Sequence, residues 1–145
     1  MIILLQRVAQ ASVTVADKVV GSIAQGILAF VAFEQQDKVA VIAKMLNKML
    51  NYRMFNDDFG KMNLSLRDMS GGLLLVSQFT LAANTNSGLR ASLAMAMSPE
   101  LAAEYFAKLV TEAKILHHDV ASGQFGANMQ VQLINDGPVT FLLNS

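Results

Sequence analysis

The sequence has no cysteine and only two histidines among its 145 residues. Without cysteine, the chain has no disulfide, thiol nucleophile or thiolate metal site. The histidines, His117 and His118, are adjacent, and neighbouring residues on a helix or strand do not share a face. Since no acidic cluster has ligand spacing either, we expect no metal. We expect both histidines at a helix end, facing water or the last helical carbonyls.

Charge is also scarce. Only 15% of the residues are charged, and the formal net charge is zero, with no run of Lys or Arg. This balance argues against binding along a long phosphate backbone. A nucleic-acid substrate would therefore be contacted at an end or at a single nucleotide.

Long apolar stretches are missing too. The longest, residues 27–33, falls far short of the roughly 20 residues that cross a bilayer. The apolar start lacks the basic segment of a signal peptide. Together with the missing cysteines, these features predict a cytoplasmic protein.

Hydrophobic residues, in contrast, make up 53% of the chain. A chain of this length is about one domain, so we expect a single domain over residues 1–145. So much apolar surface indicates either an oligomer interface or an unusually apolar core.

Strand patterns dominate the chain. A hairpin turn is expected at Asp17 and Lys18, and a loop over residues 82–97. Residues 73–81 are the strongest strand, and their continuous apolar run predicts burial on both faces. The other predicted strands span residues 2–9, 12–15, 27–33, 120–125, 129–134 and 139–143, of which the last two form a hairpin.

Two segments have helical periodicity. The first begins at Asp37, its expected N-cap, and the second has Ser98 as N-cap, Pro99 in its first turn and an end near Leu116. The apolar stripe of the first helix is formed by Val39, Ile42, Ala43, Leu46, Met49 and Leu50. These patterns predict an α+β fold with a mostly antiparallel, barrel-like β-sheet and two amphipathic helices.

Polar residues interrupt the strongest strand at Ser77, Gln78 and Thr80, where it should leave the core. Far along the chain, Gly137-Pro138 lies between two strand-forming runs. Together with Arg7 and the segment from Phe125 to Met129, these motifs closely resemble the D-aminoacyl-tRNA deacylases over essentially the whole chain. That family hydrolyses D-amino acids from mischarged tRNA.

The resemblance implies a homodimer in which a cis Gly137-Pro138 of one subunit reaches into the active site of the other. Its rigid carbonyls would leave room for a D side chain or a hydrogen but not for an L side chain, so selection rests on rejection. Glycyl-tRNA should then be accepted as well. The resemblance implies that Arg7 orients this loop. Without that role, we expect Arg7 to be an ordinary surface residue of a strand.

A hydrolase without cysteine needs a hydroxyl nucleophile, a metal-bound water or help from its substrate. Ser77 and Thr80 are the candidate hydroxyls, but neither has a base nearby in sequence. If they are not catalytic, we expect Thr80 to make a hydrogen bond at the end of the strand and Ser77 to cap the main chain. The alternative uses the ribose hydroxyl beside the ester, while main-chain N–H groups around Gln78, Phe79 and Thr80 polarise the carbonyl. This mechanism needs no cofactor.

By the same resemblance, Phe125, Met129 and Ala102 hold the terminal adenine of the tRNA, although all three also fit a core. Ala91 and Leu93 replace a proline and a phenylalanine that the family usually has, which puts the role of this loop at the tRNA end in doubt. Two other functions fit the same residues: a Thr80-dependent esterase or amidase for small molecules, and a non-catalytic module that binds RNA ends.

Overall fold

A computed structural model of the chain describes residues 1–86 and 88–145. The strands are β1 (Ile2–Val15), β2 (Lys18–Ile23), β3 (Gly26–Ala32), β4 (Phe55–Asn56), β5 (Met62–Leu64), β6 (Gly72–Ser77), β7 (Val120–Ser122) and β8 (Gln130–Asn144). The helices are α1 (Ala40–Leu50), α2 (Leu66–Met69) and α3 (Pro99–Leu116), with a short 3₁₀ helix at Phe79–Ala82.

The main sheet has the strand order β2-β1-β3-β6-β7, and β8 pairs with the other edge of β1. The sheet curls so that its two end strands, β2 and β7, lie against each other. They are so close that a Cβ atom added to Gly21 of β2 would lie only 2.6 Å from the main-chain oxygen of Ser122 in β7. The predicted barrel-like sheet is therefore confirmed.

The sheet is mixed, however, and the prediction of a mostly antiparallel sheet needs correction. β1 is antiparallel to β2, β3 and β8, whereas β3–β6 and β6–β7 are parallel pairs. Parallel strands need long crossover connections. Here α1, the β4–β5 hairpin and α2 connect β3 to β6, and α3 lies between β6 and β7.

The core has two parts, one on each face of the barrel wall. Leu73 and Leu75 of β6 face the cluster that includes α1 and α3, while Leu74 and Val76 belong to the second cluster. All four side chains are buried. The prediction that this strand is buried on both faces is confirmed, but the strand itself is shorter than predicted. It ends at Ser77, and the chain then turns into the 3₁₀ helix.

The predicted helices are both present, and a third, α2, was missed. Four residues are too short for a periodic stripe, but Ser65 and Asp68 form a capping box at its start. Ser98 is the N-cap of α3, as predicted. Asp37 is not the N-cap of α1, since Val39 has that position and the Asp37 carboxylate instead lies 2.6 Å from the Met1 ammonium.

The predicted C-terminal hairpin is also wrong. Both runs belong to the single strand β8, which pairs with β1 on both sides of an interruption at residues 136–139. Thr140 pairs with Gln6 and Asn135 pairs with Val8, so residues 136–139 of β8 lie opposite the single residue Arg7. A Gly-Pro pair, which predicts a turn from sequence, here lies in a four-residue bulge within one strand.

The two histidines differ. His118 is exposed as predicted, but His117 is buried at the end of α3, with its Nε2 atom 2.6 Å from the main-chain oxygen of Gly71. The expectation that His117 faces water or the last helical carbonyls is therefore wrong, because its partner belongs to the segment before β6. Among the described residues, no helix combines the length and apolar character needed to cross a bilayer.

Candidate active site

A cavity of about 220 Å³ opens where β3 and β6 end and α3 begins. It brings together five of the residues predicted from sequence, namely Ser77, Gln78, Phe79, Ala102 and Phe125. The wall is mostly apolar, and it also includes Val31, Ala32, Phe33, Met97, Pro99 and Gly126. An apolar cleft with a few polar groups at one edge is the usual form of a small-molecule or base-binding site.

The polar edge of this cavity is the turn that follows β6. The main-chain N–H of Gln78 donates to the oxygen of Val31 over 2.8 Å, so it is not available to a substrate. The first hydrogen bond of the 3₁₀ helix runs from the N–H of Leu81 to the oxygen of Gln78. The N–H groups of Phe79 and Thr80 precede that bond and have no acceptor within the helix.

The hydroxyl of Thr80 is exposed, and its Oγ1 atom accepts a hydrogen bond from Nε2 of Gln78. An amide nitrogen is a donor and has no basic lone pair to take a proton. The neighbour that orients Thr80 therefore cannot activate it as a nucleophile. Ser77 is half-buried on the cavity wall.

The Gly137-Pro138 segment is exposed, and its peptide bond is cis. Arg7 holds the residue before it: Nε donates to the main-chain oxygen of Asp136 over 2.7 Å and lies 3.3 Å from the Asp136 carboxylate. Nη1 donates to the oxygen of Met54 over 2.8 Å. Arg7 is 8% exposed, so it is not the surface strand residue of the simpler interpretation.

Within one chain, this segment and the cavity lie apart. Ser77 pairs with Val31, which pairs with Ile3 of β1, whereas the bulge lies opposite Arg7, four residues further along β1. Four residues of a strand span about 13 Å, and β8 is three strands away from β6 at nearly 5 Å per strand. A single chain thus presents two separate surfaces.

Residues 4–144 match the sequence family described as D-Tyr-tRNA(Tyr) deacylase. The chain belongs to that family. It is 62% identical over 142 residues to a D-aminoacyl-tRNA deacylase of Pseudomonas syringae pv. tomato and 59% identical to that of Pseudomonas fluorescens. Each alignment covers 98% of both sequences. The prediction of a deacylase-family enzyme is confirmed.

Two solved structures share the fold of this chain. One described as the c-Myc DNA Unwinding Element Binding Protein has a TM-score of 0.95 at 34% identity and covers 100% of this chain and 99% of its own. Another, described as a probable eukaryotic D-amino acid tRNA deacylase, has a TM-score of 0.88 at 15% identity, covering 98% and 97%. The second likeness shows that the deacylase fold is shared.

Of the three residues predicted to hold the adenine, Met129 does not line the cavity. It packs against the second core cluster, and its sulfur would lie 2.7 Å from a Cβ atom on Gly123. Phe125, in contrast, lines the cavity with its ring centroid 6.1 Å from that of Phe106. Ala102 is buried on the same wall.

The loop at residues 82–97 was predicted without regular structure, and position 87 lies outside the described residues. Main-chain hydrogen bonds of 2.8 and 3.0 Å join Asn84 and Ser92 in both directions. Ala91 and Leu93 flank this pair and are exposed, and neither lines the cavity. The two positions at which this chain departs from the usual family residues therefore lie in an exposed part of the loop, outside the cavity wall.

Sequence reasoning missed some residues of the candidate site and its surroundings. Apolar residues at the ends of buried strands, such as Val31 and Phe33, give no signal that distinguishes a cavity wall from a core. Asn135 was also missed, although its position two residues before Gly137 was a usable signal, because asparagine side chains commonly bond the main chain of nearby turns. Among the described residues, no group of three or more His, Cys, Asp or Glu side chains could hold a metal ion.

Proposed function

We propose that this protein hydrolyses the ester bond of D-aminoacyl-tRNA and releases the free D-amino acid and the tRNA. A water oxygen attacks the ester carbonyl, the bond to the ribose oxygen breaks, and that oxygen leaves with a proton. The observation that carries the proposal is the cavity that joins the Ser77–Phe79 edge to an apolar wall containing Phe125. One polar edge and one base-sized apolar cleft suit an amino acid esterified to a terminal nucleotide.

The terminal adenosine occupies the apolar part of this cavity. Phe79 is 59% exposed and Phe125 is 36% exposed, so both rings have faces free for a base. Base stacking on an aromatic ring contributes about 1–3 kcal/mol per base. Ala102 keeps the wall flat, and Met97 adds a polarisable thioether. Met129 is assigned to the surroundings of this site on the family resemblance alone.

The substrate supplies the reactive hydroxyl. Because Gln78 gives Thr80 a donor instead of a base, the vicinal ribose hydroxyl is the better candidate to assist water at the ester. The N–H groups of Phe79 and Thr80 then stabilise the developing oxyanion, with Ser77 at the edge of the pocket. The reaction as proposed needs no cofactor and takes place in the cytoplasm, where tRNA is charged.

A second copy of the chain selects the chirality of the amino acid in the substrate. Gly137 and Pro138 are exposed and lie away from the cavity of their own chain, which supports a homodimer in which they complete the partner's cavity. Their carbonyls accept from the substrate ammonium and exclude an L side chain. Since this filter works by rejecting a side chain, it admits glycine, which has only a hydrogen there. Glycine esterified to a non-cognate tRNA is therefore also a substrate.

The test is to incubate the purified protein with D-tyrosyl-tRNA, L-tyrosyl-tRNA and glycyl-tRNA and to measure the remaining ester. We expect hydrolysis of the D and glycyl esters and survival of the L ester. D-tyrosine methyl ester provides the comparison for a small-molecule esterase, and hydrolysis of that ester at a similar rate would contradict the proposal. Binding of all three tRNAs without hydrolysis would indicate an RNA-end binding module instead.

A further inference from the structure

The side chain of Asn135 closes the base of the Gly137-Pro138 bulge. Its Nδ2 donates to the main-chain oxygen of Arg7 over 3.2 Å and to that of Val139 over 3.1 Å. Its Oδ1 accepts from the main-chain N–H of Val139 over 3.1 Å. Two carbonyls that only accept and one N–H that only donates fix the orientation of the amide.

These bonds replace the ladder that the bulge interrupts. Residues 136–139 face a single residue of β1, so the main chain at both ends of the bulge lacks regular strand partners. Asn135 joins one end to the other through both main-chain groups of Val139 and ties them to β1 through Arg7. Val139 is packed against the main core cluster, so the bulge is anchored to a fixed point.

Arg7 and Asn135 hold different parts of the same segment. The Arg7 side chain holds the oxygen of Asp136 from outside the bulge, whereas the Asn135 amide sets the spacing between residues 135 and 139 from within. Between them, the two side chains leave Gly137 and Pro138 as the exposed part of the bulge.

We propose that Asn135 is a positioning residue for chiral selection, which sets where the Gly137 and Pro138 carbonyls project. This inference rests on the proposed function. A filter that works by excluding a side chain depends on its position, and misplacement of about 1 Å is enough to change reactivity greatly. Loss of the amide should therefore admit L substrates as well as slow D substrates.

The experiment compares Asn135→Ala and Asn135→Asp with the wild type on D-tyrosyl-tRNA and L-tyrosyl-tRNA. Alanine removes all three hydrogen bonds. Aspartate keeps the shape and the acceptor for Val139 but places a carboxylate against two carbonyl oxygens. We expect the ratio of D to L hydrolysis rates to fall by about tenfold or more in both variants, because part-buried main-chain groups lose their hydrogen-bond partners.

The matched control is Asn47→Asp, which makes the same change of charge on the exposed face of α1 and keeps the acceptor for Asn51. It should leave the D to L ratio unchanged. Melting curves of all variants show whether they fold. A residue that only stabilises the fold would lower both rates together, so an unchanged ratio in folded Asn135 variants would overturn the inference. Failure of both variants to fold would overturn it too.

Gly137→Ala separates this inference from the proposed function. If Gly137→Ala lowers the D to L ratio and the Asn135 variants do not, the chiral filter stands and the role of Asn135 is wrong. If neither changes the ratio, the filter itself is wrong.

Discussion

The Nε atom of Arg7 donates to the main-chain oxygen of Asp136 over 2.7 Å, across the barrel edge where β1 meets the β8 bulge. The same guanidinium reaches the oxygen of Met54, whose own N–H donates to Leu64 of β5. One buried side chain therefore couples the β4–β5 hairpin to the residue that precedes Gly137.

Arg7→Lys should reduce D-aminoacyl-tRNA hydrolysis by about tenfold or more, because one ammonium cannot reproduce the planar fork that reaches both carbonyls. The buried oxygen left without a donor should also lower the melting temperature by several degrees, in line with a cost of about 1–3 kcal/mol. Arg53→Lys, at the exposed position next to Met54, is the control. Equal activity of Arg7→Lys and the wild type would remove Arg7 from the orienting role.

Gly137→Ala should lower D-substrate turnover and leave the overall fold intact. The φ angle of Gly137 is not positive, so left-handed backbone strain is not the reason. The reason is steric, since an added Cβ would lie 2.0 Å from the main-chain nitrogen of Val139, so the bulge must move. Normal turnover in a normally melting Gly137→Ala protein would exclude Gly137 from the site.

Thr80→Ala should keep substantial activity, whereas replacing the vicinal hydroxyl of the terminal ribose with hydrogen should abolish it. The physical reason is that the Thr80 hydroxyl receives a hydrogen bond from Gln78 and has no base to deprotonate it. Single-turnover rates on the two substrates measure this directly. A trapped acyl-enzyme on Thr80, or full activity on the deoxy substrate, would reverse the assignment.

An inactive variant altered at Gly137 and an inactive variant altered in the Gln78–Thr80 segment should complement each other when they are mixed and allowed to re-associate. In a two-fold dimer with shared sites, a heterodimer has both lesions in one site and an intact second site. About half of the dimers are then heterodimers, so activity should return to about a quarter of the wild-type value. Heterodimers confirmed by mass spectrometry but without activity would place the filter and the cavity in the same subunit.

Acid should remove part of the stability that the α2 cap provides. Hydrogen bonds from the Ser65 hydroxyl and main-chain N–H, at 2.6 and 2.8 Å, hold the pKa of Asp68 below its ordinary value of 3.8. The ionised carboxylate thus favours the folded state above about pH 3.8, and this contribution is lost as the pH falls through the lower pKa of the folded protein.

Asp68→Asn, which resembles the protonated carboxyl, should therefore melt below the wild type at neutral pH, with the two melting temperatures converging in acid. Asp58→Asn, an exposed aspartate outside the capping box, controls for the loss of charge. A constant difference between wild type and Asp68→Asn at every pH would show that ionisation is not the cause.

Local patterns were enough to predict much of the fold. Alternating and continuous apolar runs located the strands, and Ser98-Pro99 marked the start of α3, because these signals depend on neighbours within a few residues. The site motifs were recognised by their resemblance to the deacylase family, and the end of β6 at Ser77 places Gln78 and Phe79 at the cavity. The length and composition of the chain set its size and its low charge.

Tertiary structure decided what depends on distant partners. Pairing along β1 turned the predicted Gly137-Pro138 hairpin into a bulge within β8, and long crossovers made the sheet mixed. Met129 packs against the second core cluster and does not line the cavity, and the main-chain N–H of Gln78 donates to the oxygen of Val31. A sequence pattern records which residues prefer a strand or a turn, but hydrogen-bond partners far apart in the chain determine which strand, which turn and which free N–H groups result.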